Sequence, residues 1–206
     1  MRHIFAEGQE AALPLVLLHG SSGGERDLLP LAAEIAPEAP VLALRGAEAW
    51  EDGFAFFRRM ADRSIDEDNL RTQAGALADF VAGFGLTRRP VAVGFSNGAI
   101  MAAALLLLRP GLLAGAVLFR PLAPFTAGAM PALDGVPVLL IDGARDTRRA
   151  PADGLRLARR LAEAGADVAH HALETGHAVS AEDRALARGW LGRFGGDQFR
   201  QQGVNR

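Results

Sequence analysis

Apolar residues in this chain fall into short continuous runs of strand length, separated by longer stretches in which apolar positions recur with a helical period. The runs 14–18, 41–44, 91–95, 115–119, 136–141 and 168–173 are almost free of polar residues and predict strands buried on both faces. Between them, 27–36, 66–84, 97–108, 152–164 and 181–194 read as helices. In 152–164, Leu155, Ala158, Leu161 and Ala162 share one expected inward face; in 181–194 the expected buried side is Leu186, Trp190 and Leu191. Strands that alternate with helices in this way imply an α/β fold, a mostly parallel sheet with helices on both faces. Residues 3–6 add a candidate edge strand. One domain over 1–194 is expected, followed by a polar tail, 195–206, that frays.

The junction at the end of the run 91–95 spells Gly94-Phe95-Ser96-Asn97-Gly98. Gly-x-Ser-x-Gly between a strand and a helix is a nucleophile elbow, a turn sharp enough to lift the serine hydroxyl clear of the sheet. The two glycines are needed because strand and helix approach too closely there for a Cβ. Ser96 is therefore the candidate nucleophile, at the positive end of a helix. In parallel sheets ligands bind beyond the carboxyl ends of the strands, which is where its partners should lie.

The run 136–141 ends in Asp142-Gly143-Ala144-Arg145-Asp146, and the last strand is followed by Glu174-Thr175-Gly176-His177. A triad acid must reach across the top of the sheet, so Asp146, on the loop, is preferred to Asp142, still close to the strand. Ser96, Asp146 and His177 then occur in the Ser…Asp…His order of the α/β-hydrolase fold, each beyond the end of a different strand. The plainer alternatives are a loop histidine at 177, and an Asp146 that caps a helix or pairs with Arg145, Arg148 or Arg149. Adjacent His170 and His171 point to opposite faces of a strand and cannot chelate together. After the first long strand, His19-Gly20-Ser21-Ser22-Gly23-Gly24 offers glycines that let backbone N–H groups face a ligand. In the hydrolase arrangement the oxyanion donors are an N–H from this loop and that of the residue after the nucleophile, here Ser21 and Asn97. His19 is expected to brace the loop.

Composition narrows the chemistry further. The 206 residues contain no cysteine, no tyrosine and no lysine, since all 22 basic residues are arginine. Thiol nucleophiles, thiolate zinc sites, Schiff-base lysines and a phosphate-loop lysine are excluded. A net charge of −2 gives no nucleic-acid or membrane-surface footprint. The N-terminus lacks a signal-peptide apolar region, so a soluble cytoplasmic protein is expected.

Leu17-Leu18-His19-Gly20 with Gly23-Gly24, Asp27-Leu28-Leu29-Pro30-Leu31, the elbow and Gly176-His177 resemble the phospholipase/carboxylesterase family of small α/β-hydrolases. Arg45-Gly46, Asp52-Gly53, Phe56-Phe57-Arg58-Arg59 and Phe119-Arg120-Pro121 resemble its bacterial branch close to hydroquinone-induced hydrolases. The resemblance covers nearly all of 14–194. It implies a serine carboxylesterase without a separate lid domain, often dimeric, acting on a small-molecule ester with no cofactor or metal. Thioesterase or lysophospholipase activity through the same triad, and a non-catalytic binder that kept the fold, are the alternatives. Many relatives carry Gln where this chain has Asn97.

Two expectations concern the substrate. The aromatic loop 45–63, with Trp50, Phe54, Phe56 and Phe57, is long enough to be functional and should wall the acyl or alcohol pocket, the alternative being plain core packing or a dimer contact. Arg58, Arg59 and Arg120 fall near the mouth of the site, where one of them, Arg120 favoured, would hold an anionic group of the substrate. The alternative is that they pair with Glu48, Asp52 or Asp62, or face solvent.

Overall fold

The apolar runs fold as strands, and in the inner ones successive side chains enter opposite cores; the run 168–173, expected to be buried on both faces, lies at the sheet edge, where only Leu173 is buried and His171 and Ala172 are exposed. The computed structural model describes residues 1–128, 130–150 and 152–194; the expected tail, 195–206, lies outside them. Strand β2 (Leu15–Leu18) shows the principle: Val16 and Leu18 join one core, Leu15 and Leu17 the other. A strand with period-two side chains and helices on both faces has no solvent side, hence its uninterrupted apolar sequence.

The elements β1 (His3–Ala6), β2, β3 (Val41–Leu44), β6 (Val91–Phe95), β7 (Gly115–Phe119), β8 (Pro137–Gly143) and β9 (Asp167–Leu173) form a seven-stranded sheet, ordered β1-β3-β2-β6-β7-β8-β9. Only β1 runs antiparallel, pairing His3 with Leu44 at the edge; all other neighbours are parallel. One face carries α2 (Glu67–Gly83), α3 (Asn97–Leu108) and α4 (Asp153–Glu163), and the other carries α1 (Leu29–Ile35) and α5 (Ala181–Phe194). Helix α3 is buried over Asn97–Leu106 and is apolar all round, so it has no polar face to present. Helix α2 begins where Asp66 accepts the N–H of Asn69 at 3.0 Å, a side-chain cap.

In two further places the elements differ from expectation. The inward face of α4 is Gly154, Leu157, Ala158 and Leu161, while Leu155 is 38% exposed. The helix is turned because Gly154 presses on the buried Asp142 carboxylate, where any Cβ would collide. The stretch 45–63 contains a small hairpin, β4 (Glu48–Trp50) with β5 (Gly53–Ala55), a second sheet outside the main one. No helix among the described residues is long and apolar enough to cross a membrane.

Candidate active site

The elbow carries the strain its sequence implies. Ser96 sits at φ 53°, ψ −104°, a left-handed conformation that costs a β-carbon-bearing residue about 1–3 kcal/mol. It is enforced from both sides: the Ser96 N–H donates to the Phe119 carbonyl at 2.9 Å, and the Ser96 carbonyl accepts from Ile100 at 3.2 Å. A Cβ on Gly94 would lie 2.5 Å from the Gly98 carbonyl, and one on Gly98 would overlap the Leu18 carbonyl. Strand, turn and helix close on one another with no space for a side chain.

His177, on the loop after β9, places Nε2 3.0 Å from Ser96 Oγ and Nδ1 2.7 Å from Asp146 Oδ2. An ionised carboxylate only accepts, so Nδ1 carries the proton and Nε2 of the neutral ring is left to accept the serine hydroxyl. Asp146 is buried and also accepts the Arg148 N–H at 2.7 Å, which fixes its orientation. Burial is the largest influence on His177 and pushes its pKa below the ordinary histidine value; Asp146 opposes this, and the Arg149 and Arg148 charges add to it. The ring is thus held neutral, in the state a general base requires. Asp142, the other carboxylate, faces away and bonds His170 Nε2 at 2.7 Å, with its own pKa raised by burial.

One residue at the site was not singled out as a site residue from the sequence. Arg149 Nη2 donates to Ser96 Oγ at 3.0 Å, its Nε to the Arg120 carbonyl at 3.0 Å and its Nη1 to the Arg148 carbonyl at 3.2 Å. Its only sequence signal is its place three residues after Asp146 in an arginine-rich loop.

The loop after β2 lies against the elbow: a Cβ on Gly20 would meet the Phe95 ring at 2.9 Å. Phe95 in turn packs on the His177 ring, 5.2 Å between centroids. Gly20–Gly23 of this loop, with Asp27, Leu28, Phe95, Ala178 and Val179, line an open cavity of about 320 Å³, which neither Ser96 nor His177 lines. A second cavity, near Arg88 and Gly111, opens at the amino ends of the strands, away from this chemistry. His19 is buried; its Nε2 accepts the Gly46 N–H at 3.0 Å and its Nδ1–H donates to the Gly20 carbonyl at 2.6 Å. With both nitrogens engaged it braces the loop.

No family model matches the chain. It is 34% identical over 196 residues to a Bacillus subtilis (strain 168) protein named "Putative hydrolase MhqD", spanning 92% of this chain and 97% of that one. The chain belongs to the phospholipase/carboxylesterase family of small α/β-hydrolases. The crystal structure of the Bacillus cereus carboxylesterase superposes with a TM-score of 0.90 at 34% identity over 94% of each chain. A carboxylesterase from Mesorhizobium loti superposes at 0.84 with 33% identity over 90% of each. The α/β-hydrolase fold is thereby this chain's fold.

Against that family frame, the expected substrate residues are redistributed. Arg120 does not reach the mouth. Its side chain is wholly buried in an ion pair with Asp183, and it also donates to Thr175 Oγ1 and to the carbonyls of Ile141, Gly176 and Ala178. A guanidinium so engaged has no donor left for a substrate anion. Arg58 points to solvent and pairs with Asp66 at 3.3 Å. Phe57 is not a pocket wall: it is wholly buried in the core with Leu70 and Ala74, and Phe56 lies beside it under His19. Trp50 is half-buried and pairs across the hairpin with Gly53. The hairpin clamps the glycine loop instead, through Ser22 Oγ to Glu51 and Phe54 N–H to the Gly23 carbonyl at 3.0 Å. Asn97 uses its Oδ1 to accept the buried Phe56 N–H at 2.7 Å, tying the elbow to the hairpin strand.

Proposed function

We propose that this chain hydrolyses small carboxylic esters through an acyl-enzyme on Ser96. The observation that carries the reading is the continuous hydrogen-bonded chain from Ser96 Oγ through His177 to Asp146, at 3.0 and 2.7 Å. His177 Nε2 takes the hydroxyl proton as Oγ attacks the ester carbonyl, then returns it to the departing alcohol. Asp146 keeps the imidazole in the required tautomer and stabilises its cation. Backbone N–H groups of Ser21 and Asn97 receive the oxyanion; the Asn97 N–H belongs to the first turn of α3, where donors have no intrahelical acceptor. Water, activated by the same histidine, releases the acid. The carboxylesterases of Bacillus cereus and Mesorhizobium loti, at 34% and 33% identity, support the substrate class.

The test is Ser96→Ala with a fluorophosphonate probe and a p-nitrophenyl acyl series. Wild type should be labelled once, at Ser96, and turn over acetyl and butyryl esters faster than decanoyl. Ser96→Ala should take no label and lose kcat by about 10⁶-fold. Turnover by Ser96→Ala near the wild-type rate would sink the assignment.

A further inference from the structure

Arg149 is a guanidinium beside the proposed nucleophile with no carboxylate in contact. Its three hydrogen bonds go to the Ser96 hydroxyl and to the carbonyls of Arg120 and Arg148, all of them neutral acceptors. Among the described residues no Asp or Glu lies within ion-pair distance of it, in contrast to Arg120 and Arg58. Asp146, Asp153 and Asp142 attract it only at longer range, while Arg59 repels it. Arg59 is likewise half-buried, held by a backbone bridge to Ile65 and by donation to the Arg63 carbonyl at 2.7 Å, and it too has no carboxylate partner among the described residues. Two half-buried positive charges that repel one another, each without a counter-ion, are costly unless an anion joins them. Burial is the main influence on both and disfavours their charged forms.

Resting on the Ser96 reading, we propose that Arg149 selects esters that bear a free carboxylate close to the scissile carbonyl. Each terminal nitrogen of Arg149 makes one of these bonds and carries a second N–H, which leaves donors for a carboxylate. The bond from Nη2 to Ser96 Oγ fixes how near that carboxylate lies to the reacting carbon, so the spacer between them is short. The Nε and Nη1 bonds to main-chain carbonyls hold the guanidinium plane before the ligand arrives, which lowers the entropy lost on binding.

The test uses two pairs of isosteric esters. Monoethyl succinate and ethyl levulinate differ by a carboxylate against a methyl ketone on the acid half; O-acetylglycolate and acetoxyacetone differ in the same way on the alcohol half. Wild type should show a kcat/KM ratio, anionic over neutral, of about 10–100 in one pair, the value expected for a charge-assisted hydrogen bond; the pair that shows it identifies the half that carries the carboxylate. Arg149→Gln should bring that ratio to near one, and Arg149→Lys should keep part of it. Ratios near one in both pairs for wild type would overturn the proposal. So would equal losses on both members of a pair in Arg149→Gln, which would make Arg149 a support of Ser96 or of the fold. Fluorophosphonate labelling of wild type separates the two levels: without a label at Ser96 the nucleophile reading itself fails, and with it this proposal.

Discussion

Arg120 and Asp183 form a two-pronged ion pair, at 2.7 and 2.8 Å, with both side chains fully withdrawn from solvent. Arg120 extends this pair to the loop that carries His177, donating to the Gly176 carbonyl at 2.9 Å, Thr175 Oγ1 at 3.0 Å and the Ala178 carbonyl at 3.0 Å. The residues on both sides of the histidine are therefore held by one buried guanidinium. Its own carbonyl orients Arg149, so the backbone of one arginine positions the side chain of the other.

Arg120→Gln should destabilise the protein by about 3–5 kcal/mol, because Asp183 is left buried and unpaired. Denaturant melts of wild type and variant measure this. In the folded fraction, kcat should fall equally on anionic and neutral esters, since the loss comes through the His177 loop. A loss confined to anionic esters would return Arg120 to the substrate.

Asp146→Asn should leave the fold nearly intact and lower kcat by about 10⁴-fold, by presenting His177 in the wrong tautomer. Asp142→Asn, on the His170 pair at 2.7 Å, should cost far less. Steady-state kinetics of the two variants decide the matter, and the reverse ranking would make Asp142 the acid.

Phe57→Ala should cost about 3–5 kcal/mol in stability, as for a large aromatic removed from a packed core. Its acyl-chain preference should match wild type. A shifted preference in the folded variant would show that the core behind the hairpin shapes the pocket after all.

The acid limb of kcat/KM should report His177 in the free enzyme, at a pH below the ordinary histidine value. The sign follows from its neighbours: burial and the nearby arginine charges disfavour the imidazolium, so the base stays neutral to lower pH. Removing a positive neighbour favours protonation, so Arg149→Gln should move the acid limb to higher pH. The pH profile on a neutral ester checks this. A limb that stays fixed or falls would assign the titration to another group.

The local regularities of this protein were legible in its sequence. Continuous apolar runs such as Leu15–Leu18 and Val91–Phe95 can only be strands with a core on each side, and Gly94 and Gly98 mark where a strand and a helix meet without space for Cβ. The elbow and the order Ser96, Asp146, His177 were legible because each follows its own strand, and a parallel sheet brings all such ends to one edge. The destination of long side chains was not. An arginine reaches far from its own Cα in several directions, so what each one meets depends on which loops the fold sets beside it. Arg120 turned inward because Asp183 of α5 comes under the end of β7, and Arg149 turned toward Ser96 because the Arg120 carbonyl receives its Nε. Phe57 went to the core because the hairpin draws the chain over α2 at Leu70. Sequence periodicity determines which face of an element is apolar; only the packing of distant elements decides where a flexible charge finds its partner.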